Sequence, residues 1–386
     1  MNKPRRKKRI LVVTPTFTGG SWVVVEDMLN HLKDEYQITC VGLGVHRSIK
    51  DVAIVSLPYF RLDALPNKWG SNLIFNVIFQ FPVELLAVLY YFILMPDLVL
   101  SNGFTSPLGI FLPAQIFKTR IIIYFNSYLE RAAKSRVYLP IIKWLGKFAD
   151  AVFVNSEGSF IDLSRFVERR KIFVINHWTD LRPMPNSLRE KMRRDQGYRN
   201  KFVISYIGKT SLEKGFDIFI KVMALLLKSK RYALIIAGPD GGYGPDIKKL
   251  SADNPSIRDL GFVESRESLR KVITVSDLVW SFGDETYLAR PAIEALACGT
   301  PIMVPDRPAI PEKFGKATIP HGLIPESVGW IINTDNLEMV AHAINRIRLT
   351  HKARDMRKSC SSYAARHYSF KNVLNGIGVI REQLKD

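Results

Sequence analysis

Short apolar runs alternate with amphipathic segments along nearly the whole chain. The runs are rich in Val and Ile and end in Gly, Asn, Ser or Pro, which is typical of strands buried on both faces of a parallel sheet. They are RILVVTP, YQITCVGLG, VAIVSLP, DLVLSNG, RIIIYFN, AVFVNS, KIFVINH, FVISYIG, ALIIAG, DLVWSF, PIMVP and GWIIN. The segments between them, such as SWVVVEDMLNHLKDE and FDIFIKVMALLLKS, have the period of helices. This alternation predicts a doubly wound α/β fold.

A polar stretch divides the alternation into two halves. Residues 180–201 contain two prolines, many charges and no strand-like run, which predicts a linker followed by a surface helix. We therefore expect a Rossmann-like domain over residues 1–180, a second one over residues 181–365, and a basic helical tail over residues 366–386. Two such domains facing each other would form a cleft beside the carboxyl ends of their strands, where open α/β sheets bind ligands.

The segment 74–95 is the longest apolar stretch and is long enough to span a bilayer of ~30 Å. It is interrupted by Asn76, Gln80, Pro82 and Glu84, and we expect Pro82 to break a helix there. The pattern predicts a helix packed on a sheet, with an apolar face resting on a membrane as the alternative.

The chain is strongly basic. Its 386 residues include 55 Lys and Arg against 36 Asp and Glu, a formal net charge of +19 that is spread over both halves. This excess indicates an anionic partner, whether a phosphate-bearing substrate, an acidic membrane surface or nucleic acid, although solubility alone would also account for it. The three cysteines Cys40, Cys298 and Cys360 are widely spaced, which argues against a disulfide framework or a zinc site and favours a cytoplasmic location.

Two strand ends in the second half carry candidate chemistry. In ISYIGKTSLEKGFDIF, Lys209 and Lys214 flank a turn between a strand and a helix, an arrangement that suits a diphosphate, although lysines near turns are also often simply solvated. In DETYLARPAIEALACGTPIMVPD, a helix begins near Pro291 and stops at Gly299. Glu294 lies one turn into that helix, where it can accept hydrogen bonds from the vicinal hydroxyls of a ribose or, alternatively, serve only as a helix cap.

The first strand is followed by another ligand-type turn, TPTFTGGSW. Gly19 and Gly20 lie between the strand and the first helix, and glycines there let the backbone approach a ligand closely. The turn is not a GxGxxG motif, so nicotinamide cofactors have no clear support.

Taken in order, these elements resemble family 4 of the retaining glycosyltransferases, the glycosyl transferases group 1, which have the GT-B fold of two Rossmann-like domains facing across a cleft. The resemblance covers nearly the whole chain: Gly19-Gly20 match the family's N-terminal glycine pair, GKTSLEKG matches its GRLSPEKG, and TYLARPAIEALACGTPIM matches its E-x7-E pattern with the helix that follows. The resemblance implies that Lys209 and Lys214 hold the diphosphate of a nucleotide sugar and that Glu294 binds its ribose. It further implies donor contacts from Gly208, Val263, Leu288, Ala289 and Arg290.

The chain departs from the family pattern at the sugar end of the pocket. Thr286 stands where the family has its first glutamate, and Glu285 is its neighbour; Asn126 stands where the family often has a histidine. Arg290 adds a positive charge beside the turn. These changes affect the identity of the sugar more than nucleotide binding.

The resemblance implies a mechanism that needs no protein nucleophile and no cofactor. The departing diphosphate accepts the proton of the acceptor on the same face of the sugar, and the protein supplies positive charge where negative charge develops. No Asp-x-Asp occurs in the sequence, which argues against a metal. The motif HYSFKNV, residues 367–373, resembles the family's C-terminal helix, which crosses back to the first domain.

The acceptor side is indicated by composition alone. The segment 128–148 mixes basic with aromatic and aliphatic residues, which suits an anionic membrane surface, or else a helix that covers the sheet with a solvated basic face. Together with KPRRKKR at residues 3–9 and the segment 74–95, it favours a peripheral enzyme on the cytoplasmic face of a membrane, with a lipid-linked or polysaccharide acceptor. UDP and GDP donors are both open, and the alternatives are a catalytically silent GT-B scaffold, a nucleotide-sugar epimerase or phosphorylase, and a nucleic-acid binder without a recognition motif.

Overall fold

The chain folds as two compact units. The computed structural model describes residues 6–15, 17, 20–44, 49–57, 73–103, 108–125, 138–263, 265–282, 288–305, 321–323 and 328–385. Unit 1 consists of Met1–His177 together with Lys371–Asp386, and unit 2 consists of Trp178–Phe370. The boundaries between the units therefore lie at residues 177/178 and 370/371, whereas the sequence analysis placed them at 180/181 and 365/366.

Unit 1 contains a seven-stranded sheet in which every strand is parallel to its neighbours. Its strands are β1 (Arg9–Val13), β2 (Gln37–Leu43), β3 (Ala53–Leu57), β4 (Leu98–Asn102), β5 (Arg120–Phe125), β6 (Ala151–Val154) and β7 (Ile172–Val174). The spatial order is β3-β2-β1-β4-β5-β6-β7, so the chain reverses direction across the sheet between β1 and β4, as in doubly wound folds.

Helices connect these strands. They are α1 (Gly20–Leu32), α2 (Leu73–Leu94), α3 (Leu108–Ile116), α4 (Tyr138–Phe148) and α5 (Glu157–Leu163). Helices α2, α3 and α4 share one apolar core with the sheet, to which they contribute side chains such as Tyr91, Phe111 and Leu145. The predicted packing of the apolar segment 74–95 as a helix on a sheet is confirmed.

Helix α2 runs through Pro82, so the prediction that this proline breaks the helix is wrong. Proline removes one backbone hydrogen bond of the helix, and Pro82 lies on the exposed side, where water can serve the carbonyl group that loses its partner. None of the helices in the described residues combines the length and the apolar character that crossing a membrane requires.

Unit 2 contains a second seven-stranded sheet, in the order β10-β9-β8-β11-β12-β14-β13. Its strands are β8 (Phe202–Ile207), β9 (Tyr232–Ala237), β10 (Ile257–Asp259), β11 (Leu278–Trp280), β12 (Ile302–Pro305), β13 (His321–Leu323) and β14 (Gly329–Ile332). All pairings are parallel except that of β13 with β14, which is antiparallel.

Unit 2 also contains helices, and the helix that follows them in the chain belongs to unit 1. The helices of unit 2 are α6 (Asn186–Asp195), α7 (Phe216–Leu226), α8 (Gly244–Asp253), α9 (Arg266–Val275), α10 (Arg290–Ala297), α11 (Leu337–Leu349), α12 (Lys352–Asp355) and α13 (Arg357–His367). Helix α14 (Lys371–Gln383) packs on α1 in unit 1, where Arg381 binds Glu35 and Gly376 lies close to Met28.

The predicted fold class is confirmed, and all twelve predicted strands are present. The structure adds β10 and β13, which the apolar pattern does not mark. Ile257 is the one apolar residue of β10, and β13 has the sequence HGL.

Helix α6 is more than the predicted surface helix. Arg189 and Arg193 on it are buried, and both bind Asp277, at 2.7 and 3.0 Å respectively. Asp277 also accepts the backbone N–H of Val203 at 2.8 Å. This buried network ties α6 to the first strand of unit 2, because charged groups removed from water need partners of the opposite charge.

The three cysteines are buried, and none of them forms a disulfide bond. Burial raises the pKa of the Cys298 and Cys360 thiols to about 12. A thiol held in this form is a small apolar side chain rather than a nucleophile.

Candidate functional site

The loop after β8 has the shape of a ligand-binding turn. Gly208 follows the strand with a φ of 143°, and a Cβ added there would find no heavy atom of the described chain within 4 Å. Gly215, with a φ of 65°, ends a short 3₁₀ turn at Leu212–Lys214 and precedes α7. Both glycines adopt conformations that other residues rarely take, and Gly208 leaves its backbone open to a ligand.

Hydrogen bonds fix the two lysines of this loop at their backbone. The Tyr206 hydroxyl, at the end of β8, lies 2.8 Å from the carbonyl oxygen of Lys209 and 3.3 Å from that of Lys214. Lys209 is exposed and Lys214 is half-buried. The turn thus holds both ammonium-bearing residues around one anchor.

A second loop, after β9, braces the first. Oδ1 of Asp240 accepts the backbone N–H groups of Gly242, Tyr243 and Gly244 at 2.9 to 3.0 Å. The Gly241 N–H donates to Oγ1 of Thr210 at 3.0 Å. Hydrogen bonds to the carboxylate, that of the Gly242 N–H first, lower the pKa of Asp240, although partial burial opposes them.

Asp240 and Thr210 were missed in reading the sequence, although a signal was present. The segment GPDGGYGP has an Asp before two glycines, and Asp in such a place commonly accepts hydrogen bonds from the backbone of the turn that follows it.

The loops after β8 and β9 approach so closely that a Cβ on Gly238 would lie 1.8 Å from the carbonyl oxygen of Gly208.

A third loop, after β11, meets the first from the other side. Strand β8 lies between β9 and β11 in the sheet. A Cβ on Gly215 would lie 3.0 Å from Cβ of Phe282, two residues beyond β11. The turn that carries the lysines is therefore enclosed between the loops of both neighbouring strands, at the carboxyl edge of the sheet of unit 2.

Helix α10 begins beyond the β11 loop in the way the sequence predicts. Pro291 is in its first turn, and Gly299, with a φ of 79°, follows its end. Leu288 is buried in the core before the helix, and Ala289 at the N-cap position has no side chain that could accept a hydrogen bond. Pro291 has no N–H group, and the N–H groups of Ala292 and Ile293 donate to the carbonyl oxygen of Ala289 at 3.0 and 3.2 Å, so what this helix start offers an anion is mainly the positive end of the helix dipole.

Glu294 on α10 is held by Arg290 one turn earlier. Oε1 of Glu294 accepts a hydrogen bond from Nε of Arg290 at 2.9 Å, and the two side chains are 7% and 14% exposed. Nη1 of Arg290 is buried and has no hydrogen-bond partner in the described part of the chain. The pair therefore presents a fixed carboxylate together with unused donor capacity.

The structure describes two of the remaining predicted site residues, Gly20 and Val263. Gly20 begins α1, and Val263 lies half-buried after β10, against the small apolar cluster that includes Val203. Four predicted residues, Gly19, Asn126, Glu285 and Thr286, lie outside the described residues, so their roles stay predictions. Across the described residues, no three His, Cys, Asp or Glu side chains are grouped as metal ligands would be.

Comparison with known proteins identifies the class. Residues 189–367 match the family model of glycosyl transferases group 1. A solved structure of HepE from Anabaena in complex with UDP-glucose has a TM-score of 0.73 at 17% sequence identity, covering 97% of this chain and 99% of that one.

Two curated relatives are similar in sequence, and one of them is named as a glycosyltransferase. D-inositol 3-phosphate glycosyltransferase of Mycolicibacterium smegmatis is 29% identical over 164 residues, which are 40% of this chain and 37% of the relative. A 42.6 kDa protein in the cps region of Klebsiella pneumoniae is 22% identical over 317 residues, which are 75% of this chain and 82% of the relative. The chain thus has the GT-B fold, its residues 189–367 form a domain of the glycosyl transferases group 1 family, and the protein is a glycosyltransferase.

Proposed function

We propose that the enzyme transfers a hexose from a UDP- or GDP-linked sugar to a lipid-linked or polysaccharide acceptor, with retention of configuration and without a metal or other cofactor. The observation that carries the proposal is the meeting of three loops at the carboxyl edge of the sheet of unit 2. One loop brings Lys209 and Lys214, and the loop against it leads to the helix of Arg290 and Glu294.

The lysine loop is suited to the diphosphate of the donor. Its two ammonium groups supply positive charge, and the open side of Gly208 lets phosphate oxygens approach the backbone. The start of α10 adds the partial positive charge of a helix N-terminus. When the bond between the sugar and the diphosphate breaks, negative charge grows on the leaving group, and fixed cations near it lower the barrier.

Glu294 is suited to the nucleotide ribose. A carboxylate accepts two hydrogen bonds from vicinal hydroxyls well, because each of its oxygens has lone pairs to offer. Arg290 occupies Oε1 and fixes the orientation of the group. Nη1 of Arg290, which has no hydrogen-bond partner among the described residues, is then a donor to which a phosphate or sugar oxygen of the nucleotide can bind.

Retention needs no nucleophile from the protein. The bond from the anomeric carbon to the diphosphate oxygen breaks, the acceptor oxygen bonds to that carbon on the same face, and the acceptor proton passes to the diphosphate. The cationic loop favours this route because it stabilises the diphosphate as it takes the proton.

The choice of substrate class draws on the relatives. The HepE structure holds UDP-glucose, which supports a uridine nucleotide and a hexose. The relative in a cps region supports a glycan or a lipid-linked glycan as acceptor. The three unpaired cysteines support a reducing compartment, the cytoplasm.

The first test is donor binding and hydrolysis. We expect a nucleoside diphosphate, UDP or GDP, to raise the Tm of the wild type and not that of Lys214→Ala. The matched control is Lys221→Ala, a largely exposed lysine on α7 that pairs with Asp217 and should respond like the wild type. A panel of UDP- and GDP-sugars then identifies the donor by slow hydrolysis, and retention predicts release of the α-sugar from an α-linked donor.

Two results would refute the proposal. If neither nucleotide raises the Tm, the loop does not bind a diphosphate. If a nucleotide sugar binds and is converted to another nucleotide sugar rather than cleaved, the enzyme is an epimerase.

A further inference from the structure

Helices α2, α3 and α4 expose large apolar side chains on the surface that faces away from the sheet. On α2 they are Leu85, Leu89 and Ile93, four residues apart and 54–61% exposed; on α3, Leu112 and Ile116; on α4, Trp144. We call these six residues the apolar band. Residues spaced by four lie on one side of a helix, so α2 and α3 each contribute a stripe, and α4 adds the single side chain of Trp144.

The apolar band is separate from the side chains through which these helices pack on the sheet. The same helices bury a second apolar side against the sheet, through Ala87 and Tyr91 on α2 and Leu145 on α4. A surface helix in a soluble domain normally has one apolar side and one polar side. Helices α2 and α3 are apolar on both sides and contact each other, and such neighbouring helices mark a surface that another apolar phase covers.

A basic groove lies where these helices end. Its volume is about 1060 Å³, and it is bordered by the amino ends of β1, β4, β5 and β6. Its basic lining residues are Arg6, Lys7, Lys8, Lys118, Arg120 and Lys385. We call this feature the basic groove.

The acidic residues of the basic groove are occupied by the protein itself. Asp97 accepts the N–H of Arg9 at 2.7 Å, and Asp150 accepts that of Ile121 at 2.7 Å. Glu35 binds Arg381 of α14. These contacts hold the three carboxylates in place, and even with their charges counted the six basic residues leave the lining of the groove positive.

Most of the basic side chains keep an unbalanced charge. Lys7 and Lys8 donate to backbone carbonyl oxygens, those of Asp34 and Leu384, which carry no formal charge. Within the described residues, the exposed side chains of Arg6, Lys118 and Lys385 form no ion pair. Arg120 is the exception, since it pairs with Asp150 at 3.0 Å.

The apolar band and the basic groove form one continuous surface. Phe117 and Phe148, at the ends of α3 and α4, line the basic groove. The ring of Phe117 lies 6.2 Å from that of Phe92 on α2, and Phe148 lies 6.1 Å from Trp144. Aromatic side chains thus stand between the exposed aliphatic stripe and the cations, as at the boundary between lipid chains and headgroups.

We propose that this surface of unit 1 docks on an anionic lipid bilayer, with the apolar band inserted among the acyl chains and the basic groove binding the phosphate groups of the lipids. This docking goes beyond the proposed function and does not depend on it, because the basic groove borders the amino ends of the strands of unit 1, whereas open α/β sheets bind ligands at the carboxyl ends. Charge decides the occupant: a second copy would bring the same positive groove, whereas an anionic bilayer offers apolar chains and negative headgroups side by side.

The test is sedimentation of the full-length chain with vesicles, without nucleotide sugar. We expect the apparent Kd on phosphatidylcholine vesicles with 30% phosphatidylglycerol to be at least tenfold lower than on pure phosphatidylcholine at 50 mM salt. We expect 300 mM salt to remove most of the difference, because it screens the headgroup contacts.

Two triple variants locate the surface. Arg6→Gln/Lys118→Gln/Lys385→Gln should weaken binding to the anionic vesicles tenfold or more, and Leu85→Gln/Leu89→Gln/Ile93→Gln should weaken it at both salt concentrations. Matched controls in unit 2 change charge or apolarity equally at exposed positions: Lys230→Gln/Lys248→Gln/Lys249→Gln, and Leu188→Gln/Met339→Gln/Leu349→Gln. Both controls should bind within twofold of the wild type.

Three outcomes would overturn the docking. They are equal binding of the wild type to both vesicle types, equal losses in a variant and its control, and a wild-type dimer that the Leu85/Leu89/Ile93 variant converts to a monomer. Donor hydrolysis without vesicles keeps this proposal separate from the proposed function: the variants should hydrolyse the donor within twofold of the wild type. If no donor is hydrolysed but binding follows the pattern above, the transfer proposal fails and the docking stands.

Discussion

The carboxylate of Glu294 is bound to the guanidinium of Arg290 at 2.9 Å, one turn apart on α10, with both side chains largely shielded from water. An i,i+4 pair on an exposed helix contributes little, but shielding makes either partner costly to remove. The pair brings the predicted ribose ligand into direct contact with a predicted donor-binding cation.

We predict that Glu294→Gln raises the donor KM about tenfold or more, since a hydrogen bond to a charged group contributes ~1.5–3 kcal/mol. Glu294→Gln and Arg290→Met should each lower the free energy of unfolding by about 1–3 kcal/mol, because the first leaves the shielded guanidinium without its counter-charge and the second leaves the shielded carboxylate without its hydrogen-bond donor. The double variant should lose less than the sum of the two, as measured by urea unfolding. Strict additivity would mean that the pair does not form in solution.

Gly208→Ala should damage donor binding more than it damages folding. The φ of 143° strains any side-chain-bearing residue, which costs of order 1–3 kcal/mol, and the added methyl group projects into the open space beside the lysine loop. We expect a Tm lower by several degrees and a donor KM at least tenfold higher, from kinetics at one temperature. Gly378→Ala is the control, because it lies in α14 without a positive φ or a close neighbour and should be neutral or stabilising. An unchanged KM in Gly208→Ala would remove this turn from the donor site.

The stability of the enzyme should depend on pH through Glu84. Its Oε2 accepts the N–H of Gly109 at 2.8 Å near the start of α3, while Oε1 is buried without a partner in the described chain. Burial raises the pKa of this carboxyl to about 8. Between the ordinary value near 4.5 and about 8, the folded state binds more protons than the unfolded state, so the free energy of unfolding falls as pH rises.

Glu84→Gln should flatten that dependence. The neutral amide keeps the hydrogen bond to Gly109 and has no charge to desolvate, so we expect the variant to be the more stable protein at pH 8.5 and close to the wild type at pH 5. Urea unfolding at both pH values measures the difference, with the exposed Glu382→Gln as control. Parallel pH profiles for the wild type and Glu84→Gln would contradict the raised pKa.

Asp277→Asn should be strongly destabilising. Asp277 balances two buried guanidinium groups, and breaking a buried ion network from one side costs about 3–5 kcal/mol. Asp195 is exposed on α6, the helix that carries the two arginines, and Asp195→Asn should change the free energy of unfolding by less than about 0.5 kcal/mol. Thermal and urea unfolding of the two variants give the comparison, and a mild effect of Asp277→Asn would show that water reaches the network.

Much of the fold can be predicted from the sequence because most of its strands are continuous apolar runs. Strands buried on both faces, such as β1 and β9, need apolar residues at every position, and this requirement leaves a pattern that local reading detects. Strands β10 and β13 lack it, since edge strands can be short and polar. The prediction that Pro82 breaks α2 was wrong for a related reason. The rule against proline in helices weakens where water can reach the backbone carbonyl group that loses its hydrogen bond.

The candidate site also has a part that the sequence predicts and a part that it does not. Gly208, Lys209, Lys214 and the start of α10 follow strand ends, and strand ends are predictable from the apolar runs. The Arg290–Glu294 pair and the role of Asp240 depend on where side chains turn in three dimensions. Arg189 and Arg193 look like solvated charges until Asp277, more than 80 residues later, is placed beside them.

The interleaving of the two units has a consequence for biosynthesis. Unit 1 is built from Met1–His177 and from α14, whose Arg381 reaches back to Glu35. The ribosome therefore has to deliver all of Trp178–Phe370 before the first-made unit can receive its last helix. Until then the side of α1 around Met28 stays uncovered in the nascent chain, which makes this helix a natural site for chaperone contact during translation.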